Sequence, residues 1–376
     1  MIKREIQKSI EAKLFTGKLV VIYGARQVGK TTLIKEIGNK FVNEQIYLNC
    51  DEPDVRELLT DATSTKLKNI VGQKKIVLID EAQRVKNIGI TLKLFADQIK
   101  DVQVIATGSS AFELSNEINE PLTGRKYEFT LYPFSMRELS SEFGWLEANR
   151  LVEERILFGM YPEVVLNPDD KKNLLKSITR SYLFKDVLSY EGIRKLEVLE
   201  KLLMALAAQI GSEVSYNELA GTVGIDKQTT NKYLDILEKA FVIFRLHPFS
   251  RNIRTELTKM RKIYFYDTGV RNALISNFNS LASRTDKGAL WENFLIAEKL
   301  KMNSALNIDA RTFFWRTSQQ QEIDYIEETE GDLYVYEFSL NKNNKKKIPL
   351  TFSRTYQIKN SDVINVENYG SFLGIV

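Results

Sequence analysis

The chain has 376 residues, room for two to three domains at roughly 150 residues each, and 43% hydrophobic with 27% charged residues excludes wholesale disorder. Its 53 basic and 49 acidic side chains leave a net charge of +4, too mild to mark a nucleic-acid binder, although a local basic surface is compatible with it. One cysteine, Cys50, excludes an intrachain disulfide, and a single histidine, His247, argues against zinc or a histidine-based triad.

No run approaches about 18 apolar residues, and the opening MIKREIQKSIEAKLF is charged throughout rather than a signal peptide, so a cytoplasmic protein without a membrane partner is expected. The first 135 residues alternate short apolar runs with amphipathic segments, the βαβ rhythm of a parallel sheet. Strands are predicted at Lys18–Tyr23, Ile46–Asn49, Lys75–Ile79, Val102–Ala106 and Tyr127–Leu131. Helices are predicted at Thr31–Lys40, Glu52–Thr60 and Gly89–Ile99, the last with Ile90, Leu94 and Phe95 on one face and Leu92 nearby.

Gly24-Ala25-Arg26-Gln27-Val28-Gly29-Lys30-Thr31 matches GxxxxGK[ST], between a strand and a helix. Glycines let backbone N–H groups turn inward around a phosphate, and the helix N-terminus adds partial positive charge. Lys30 is expected to bridge the β- and γ-phosphates and Thr31 to ligate Mg²⁺, with Thr32 completing the nucleotide-binding run. The strand KIVLI ends in Asp80 and Glu81, carboxylates that would face the same crevice. Asp80 is expected to hold Mg²⁺ through water, and Glu81 to orient or deprotonate the attacking water. Thr107 or Ser109, ending the next strand, is a candidate sensor of the γ-phosphate, with an ordinary polar turn as the alternative. Arg125 is a candidate for stabilising developing charge, in cis or across a subunit boundary. Arg26 competes for that role, and either arginine is alternatively a structural ion-pair member.

The ordered series YGARQVGKTTL, VLIDEAQ, ATGSSAFEL, LTGRKYEFTLYPFSMREL, YFYDTGV and FFWRTSQQQEIDY resembles the prokaryotic AAA-type P-loop ATPases fused to a C-terminal domain of uncharacterised function. The resemblance spans nearly the whole chain. It implies an ASCE-type nucleotide domain using ATP rather than GTP, a winged helix, and a terminal module similar to restriction-endonuclease-like folds. Arg125 matches the family's glycine-arginine position. The expected fold is thus α/β: a P-loop ATPase domain over 1–135, a helical linker or lid over 136–210, a winged helix over 211–275 and a nuclease-like module over 282–376.

In the middle region Ser215 and Glu218 have capping-box spacing, and Asp226 is placed to cap a second helix. Tyr233, Ile236, Leu237 and Ala240 would be its buried face, leaving Lys227, Gln228, Thr230 and Asn231 exposed as a DNA-recognition helix presents them. Phe241–Leu246 and Lys262–Tyr266 would be wing strands. Arg251, Arg254, Lys259, Arg261 and Lys262 form a basic cluster suited to phosphates, although packing or oligomerisation is the competing role.

A helix over Leu290–Leu300 and strands at Arg311–Trp315, Glu322–Ile326 and Leu333–Phe338 are predicted in the last region, followed by an exposed loop at Asn341–Lys347. Glu292, Asp324 and Glu337 follow the order of a PD-(D/E)XK core, which needs a lysine two residues after the last acid. Ser339 stands there instead, and Lys342 has the wrong strand parity, so a degenerate core is expected. Three functions follow: an ATP-driven motor or switch on double-stranded DNA, a regulatory ATPase whose C-terminal modules bind a protein, and an ATP-gated nuclease disfavoured by Ser339. Further copies of the chain are additional candidate partners.

Overall fold

The computed structural model describes residues 2–108, 122–180, 196–251, 260–343 and 347–376. Ser109, Arg254 and Lys259 lie outside them. Contacts divide the chain into two units: Met1–Phe134 with Lys239–Phe241 and Ser304–Leu306, and Ser135–Glu238 with Val242–Asn303 and Asn307–Val376. Among the described residues no helix is long and apolar enough to cross a membrane.

In the first unit, β1 (Leu19–Tyr23), β2 (Gln45–Asn49), β3 (Ile76–Asp80), β4 (Gln103–Gly108) and β5 (Lys126–Thr130) pair in parallel, in the order β2-β3-β4-β1-β5. All residues of β1, β3 and β4 are buried, which accounts for their near-continuous apolar sequence: helices cover both faces, so no residue alternation is needed. The outer strands β2 and β5 are only partly buried. Placing β4 between β1 and β3 sets the phosphate loop and the acidic pair one strand apart at the same C-terminal edge.

Two helical details differ from the sequence expectation. Ile90 is 56% exposed, and Ile88, Leu92 and Phe95 form the buried stripe of helix Ile88–Gln98 instead. Their i, i+4, i+7 spacing is the apolar face; at about 100° per residue Ile90 lies about 160° from Leu92 around the helix and faces solvent. An additional helix, Ser64–Val71, starts at Thr63, whose side chain accepts from the Lys66 backbone N–H.

The second unit opens with helices Met136–Phe143, Trp145–Arg150, Val152–Phe158, Pro162–Leu166, Lys171–Ile178 and Leu196–Ala208. Ser135 and Glu138 make a reciprocal capping box at the first of these. Next come β6 (Glu213–Val214), helix Tyr216–Val223, helix Lys227–Lys239, β7 (Ile243–Pro248) and β8 (Arg261–Phe265). Ser215 caps the first helix and Asp226 accepts from the Thr229 backbone N–H at the second. β9 (Arg311–Arg316), β10 (Glu322–Thr329), β11 (Asp332–Phe338) and β12 (Asn360–Ile364) complete a seven-stranded sheet in the order β12-β11-β10-β9-β7-β8-β6. The strands on either side of residues 275–282 therefore share one sheet, joined where His247 and Pro248 pair in parallel with Phe313 and Phe314. A short hairpin is marginal alone, and extending a larger sheet covers its open edge.

The YFYDTGV segment has a structural job. Asp267 caps helix Thr268–Leu274 by accepting from the Val270 N–H, and also accepts from the Met160 N–H. A Cβ on Gly269 would lie 2.2 Å from the Phe158 carbonyl oxygen, so only glycine lets these backbones meet.

Candidate functional site

β1 ends at Tyr23, the chain turns through Gly24 to Gly29, and helix Lys30–Gly38 begins at once. Gly24 cannot carry a side chain: a Cβ there would sit 2.2 Å from the Leu131 carbonyl oxygen. Gly29 has φ +96°, the left-handed conformation that turns the loop into the helix. Ala25 and Val28 are buried, Arg26 is half-buried, and Gln27 and Thr32 are exposed. Lys30 is 5% exposed, and its ammonium donates to the carbonyls of Gly24 and Ala25, each at 2.9 Å. It is thereby folded back over the loop's concavity, as the loop lysine must be to reach a phosphate held there.

The sequence did not single out Arg4, yet it braces this loop. Its guanidinium donates to the Val28 carbonyl and to the Tyr132 carbonyl, both at 2.6 Å, and lies 5.0 Å over the Phe134 ring. The signal available was slight: an arginine among Ile2, Ile6 and Ile10, all buried.

Asp80 ends β3 at 3% exposure, among hydroxyl donors. Thr31 donates to its Oδ2 at 2.7 Å, Tyr47 donates to the same oxygen at 2.8 Å, and Thr107 donates to Oδ1. The Glu81 backbone N–H in turn donates to the Thr107 hydroxyl at 3.1 Å, and Gln83 donates to the Glu81 carboxylate at 2.6 Å. Glu81 itself has φ +53°, a left-handed kink that turns its side chain out of the strand direction. Thr107, one of two candidate γ-phosphate sensors, donates its hydroxyl to Asp80 and accepts the Glu81 N–H, so it joins the two acids.

Mg²⁺ takes hard oxygen ligands, and the donors at this site are of that kind. Thr31 gives its proton to Asp80, which leaves the lone pairs of the hydroxyl available to a cation beside the carboxylate. The residues present fit the ion. The buried Cys50 thiol lies on the same edge, and burial with the nearby Asp80, Asp51 and Glu81 charges pushes it up to about 12, so it stays protonated.

Arg125 does not join this group. It precedes β5, and its carbonyl accepts from the Leu19 N–H at the N-terminal end of β1, the opposite edge of the sheet from the loop. Its Nε donates to Asp97 at 2.7 Å. The five residues of β1, at about 3.3 Å each, separate it from the phosphate loop, so a role in cis is overturned and the ion-pair alternative holds. Arg125 precedes β5, and the parallel pairing of β5 with β1 puts that strand's start at the edge away from the loop.

In the second unit, Lys227, Gln228 and Asn231 are exposed on helix Lys227–Lys239. Thr230 is not: it is 0% exposed and its hydroxyl donates to the Asp226 carbonyl. It falls one turn before the buried Leu234 and shares that face. Of the expected basic cluster, Arg251 is 61% exposed and pairs with Glu328, while Arg261 is half-buried beside His247.

Lys262 is 2% exposed, which removes it from any phosphate-facing surface. Its ammonium lies 3.0 Å from Glu292 and 2.5 Å from Glu322, and Tyr264 donates to the same Glu292 oxygen at 2.5 Å. Asp324 accepts from the Phe338 N–H at 2.8 Å, and the register past the Tyr325–Tyr336 pair sets it opposite Glu337. Burial alone would drive the lysine toward neutrality, but Glu292, Glu322 and Asp324 hold it above its ordinary value. The three expected acids thus lie on neighbouring elements, and a lysine from β8 is buried among Glu292, Glu322 and Asp324. Sequence order hid this, because the lysine precedes all of the acids. Among the described residues no three histidine, cysteine, aspartate or glutamate side chains group as a metal site.

Comparisons with known proteins match three segments of the chain. Residues 16–140 match the AAA domain family, while residues 149–281 and 287–370 match two domains of unknown function, DUF8612 and DUF4143. An uncharacterized protein of Methanocaldococcus jannaschii is 27% identical, across 96% of this chain and 84% of its own length. One of Haemophilus influenzae is 26% identical over 97% of both chains. Among solved structures, the Aeropyrum pernix ORC1 protein in complex with DNA is similar at 12% identity and TM-score 0.35, covering 74% of this chain and 93% of that one. The Pif1 helicase from Candida albicans is similar at 14% identity and TM-score 0.26, covering 48% of each. The segment that holds the phosphate loop and the Asp80–Glu81 pair is the one that matches the AAA domain family.

Proposed function

We propose that the protein hydrolyses ATP with Mg²⁺ and acts as a cytoplasmic motor or switch on double-stranded DNA. The observation that carries the ATPase reading is the network Thr31–Asp80–Thr107–Glu81, which ties the loop helix to the ends of β3 and β4. Lys30 leaves the carbonyls of Gly24 and Ala25 for the β- and γ-phosphate oxygens, whose charge compensates it better. Thr31 and Asp80 hold Mg²⁺, which when bound offsets the phosphate charge. Glu81, positioned by Gln83, accepts the proton of the water that attacks the γ-phosphorus.

The DNA reading is supported by the consecutive helices Tyr216–Val223 and Lys227–Lys239, followed by the β7–β8 hairpin in winged-helix order, with Lys227, Gln228 and Asn231 exposed. A nuclease-like C-terminal module that binds rather than cuts accords with the lysine-filled acid cluster. Burial of Thr230 and Lys262 favours a second reading, a regulatory ATPase whose second unit binds a protein.

The test is ATP turnover across a titration of duplex DNA at low and high salt. Lys30→Ala should lose nucleotide affinity, and Glu81→Gln should keep it while turnover falls about 10²–10⁴-fold. Saturable stimulation by DNA that high salt abolishes supports the DNA reading. A flat response with measurable basal turnover moves the assignment to the protein-facing switch, and normal turnover in Glu81→Gln removes its role as base.

A further inference from the structure

Asp80 receives hydroxyls from three separate elements, and two of these, Thr31 and Thr107, belong to segments the sequence motifs marked. The third, Tyr47, belongs to β2, the strand at the sheet's edge, where no motif points. Its phenol donates to Asp80 Oδ2 at 2.8 Å, the oxygen that Thr31 also reaches at 2.7 Å. The Tyr47 ring is fixed in turn by the Lys35 ammonium, 4.5 Å from its centroid, and Lys35 stands one helical turn beyond Thr31.

A carboxylate that serves a hydrated cation must hold its plane. Two hydroxyls on Oδ2 and one on Oδ1 do this for Asp80, and the partner behind a ligand commonly changes metal affinity by about 10–100-fold when removed. Thr31 cannot replace Tyr47 in this task, because its own oxygen is needed by the cation.

We infer that Tyr47 is a positioning residue for the divalent cation: its hydroxyl orients the Asp80 carboxylate and so sets Mg²⁺ affinity without touching the nucleotide. This rests on the nucleotide-binding reading above. Tyr47→Phe removes the hydroxyl and keeps the ring under Lys35.

The experiment measures three quantities in full-length wild type and Tyr47→Phe: affinity for a fluorescent ATP analogue in EDTA, Mn²⁺ affinity of the nucleotide complex by electron paramagnetic resonance, and the Mg²⁺ dependence of turnover. The expected result is unchanged metal-free nucleotide affinity, Mn²⁺ binding about tenfold weaker, and turnover largely regained at saturating Mg²⁺. Equal Mn²⁺ affinity in the two proteins overturns the inference. Loss of metal-free nucleotide affinity in Tyr47→Phe also overturns it, because the tyrosine would then support the loop as a whole. Wild type that takes up no nucleotide overturns the ATPase reading itself, a result distinct from either.

Discussion

Lys262→Met tests whether the second unit is held by a buried charge cluster. The ammonium is 2% exposed, with Glu292 at 3.0 Å and Glu322 at 2.5 Å, and methionine keeps the length of the side chain without its charge. At about 3 Å and an effective dielectric of about 20, one such contact is worth about 5 kcal/mol before desolvation. Glu322 is 30% exposed and solvent screens its share, so Glu292 dominates. Removing one partner strands the other, and the net loss expected is about 3–5 kcal/mol. All three tryptophans, Trp145, Trp291 and Trp315, lie in the second unit, so their emission in urea follows that unit alone. The urea midpoint should fall by about 1–2 M.

The loss should also depend on pH. Burial pushes the Glu292 carboxyl above its ordinary value, and Lys262 pulls against that shift. Without the lysine the folded state binds this proton more tightly than the unfolded state does. Stability of the variant relative to wild type therefore rises as pH falls from 7 toward the ordinary carboxylate range. Adding Glu292→Gln to Lys262→Met should recover part of the midpoint, since no stranded charge remains there. A midpoint within about 0.3 M of wild type at pH 7 would refute the reasoning.

Arg4→Ala leaves the Val28 and Tyr132 carbonyls without their charged donor. A loss of about 1.5–3 kcal/mol is expected, read as weaker binding of a fluorescent nucleotide and lower thermal stability of the first unit; unchanged values of both would remove Arg4 as a brace of the loop. Arg125→Ala should leave turnover of dilute protein within about twofold of wild type, because its guanidinium is bound to Asp97 at the far edge of the sheet. A hundredfold loss that persists on dilution would contradict the cis exclusion, and one that appears only at high protein concentration would mark a role across a subunit boundary.

Much of the candidate site was legible because its determinants are local. GARQVGKT and KIVLIDE each place their functional atoms within a few residues of a strand end, and a parallel sheet brings strand ends to one edge whatever the intervening loops do. The fully buried strands were equally plain, since burial on both faces leaves an uninterrupted apolar run. The second helix of the middle region was read correctly in Tyr233, Ile236, Leu237 and Ala240, whose spacing alone marks an apolar face.

What tertiary structure decided is everything that depends on a partner distant in sequence. Tyr47 reaches Asp80 from 33 residues away, and Arg4 reaches Tyr132 from 128. No periodicity encodes such pairs. Arg125 stands before β5, and the parallel pairing of β5 with β1 is what puts that start at the far edge from the loop. Lys262 read as a basic surface residue, yet sheet pairing carries β8 against elements that supply Glu292 and Glu322, and opposite charges in a dry interior lower the free energy only together. Local sequence determined the phosphate loop, its strand and its helix; the positions of the charges and hydroxyls that complete the site were decided by which strands lie side by side.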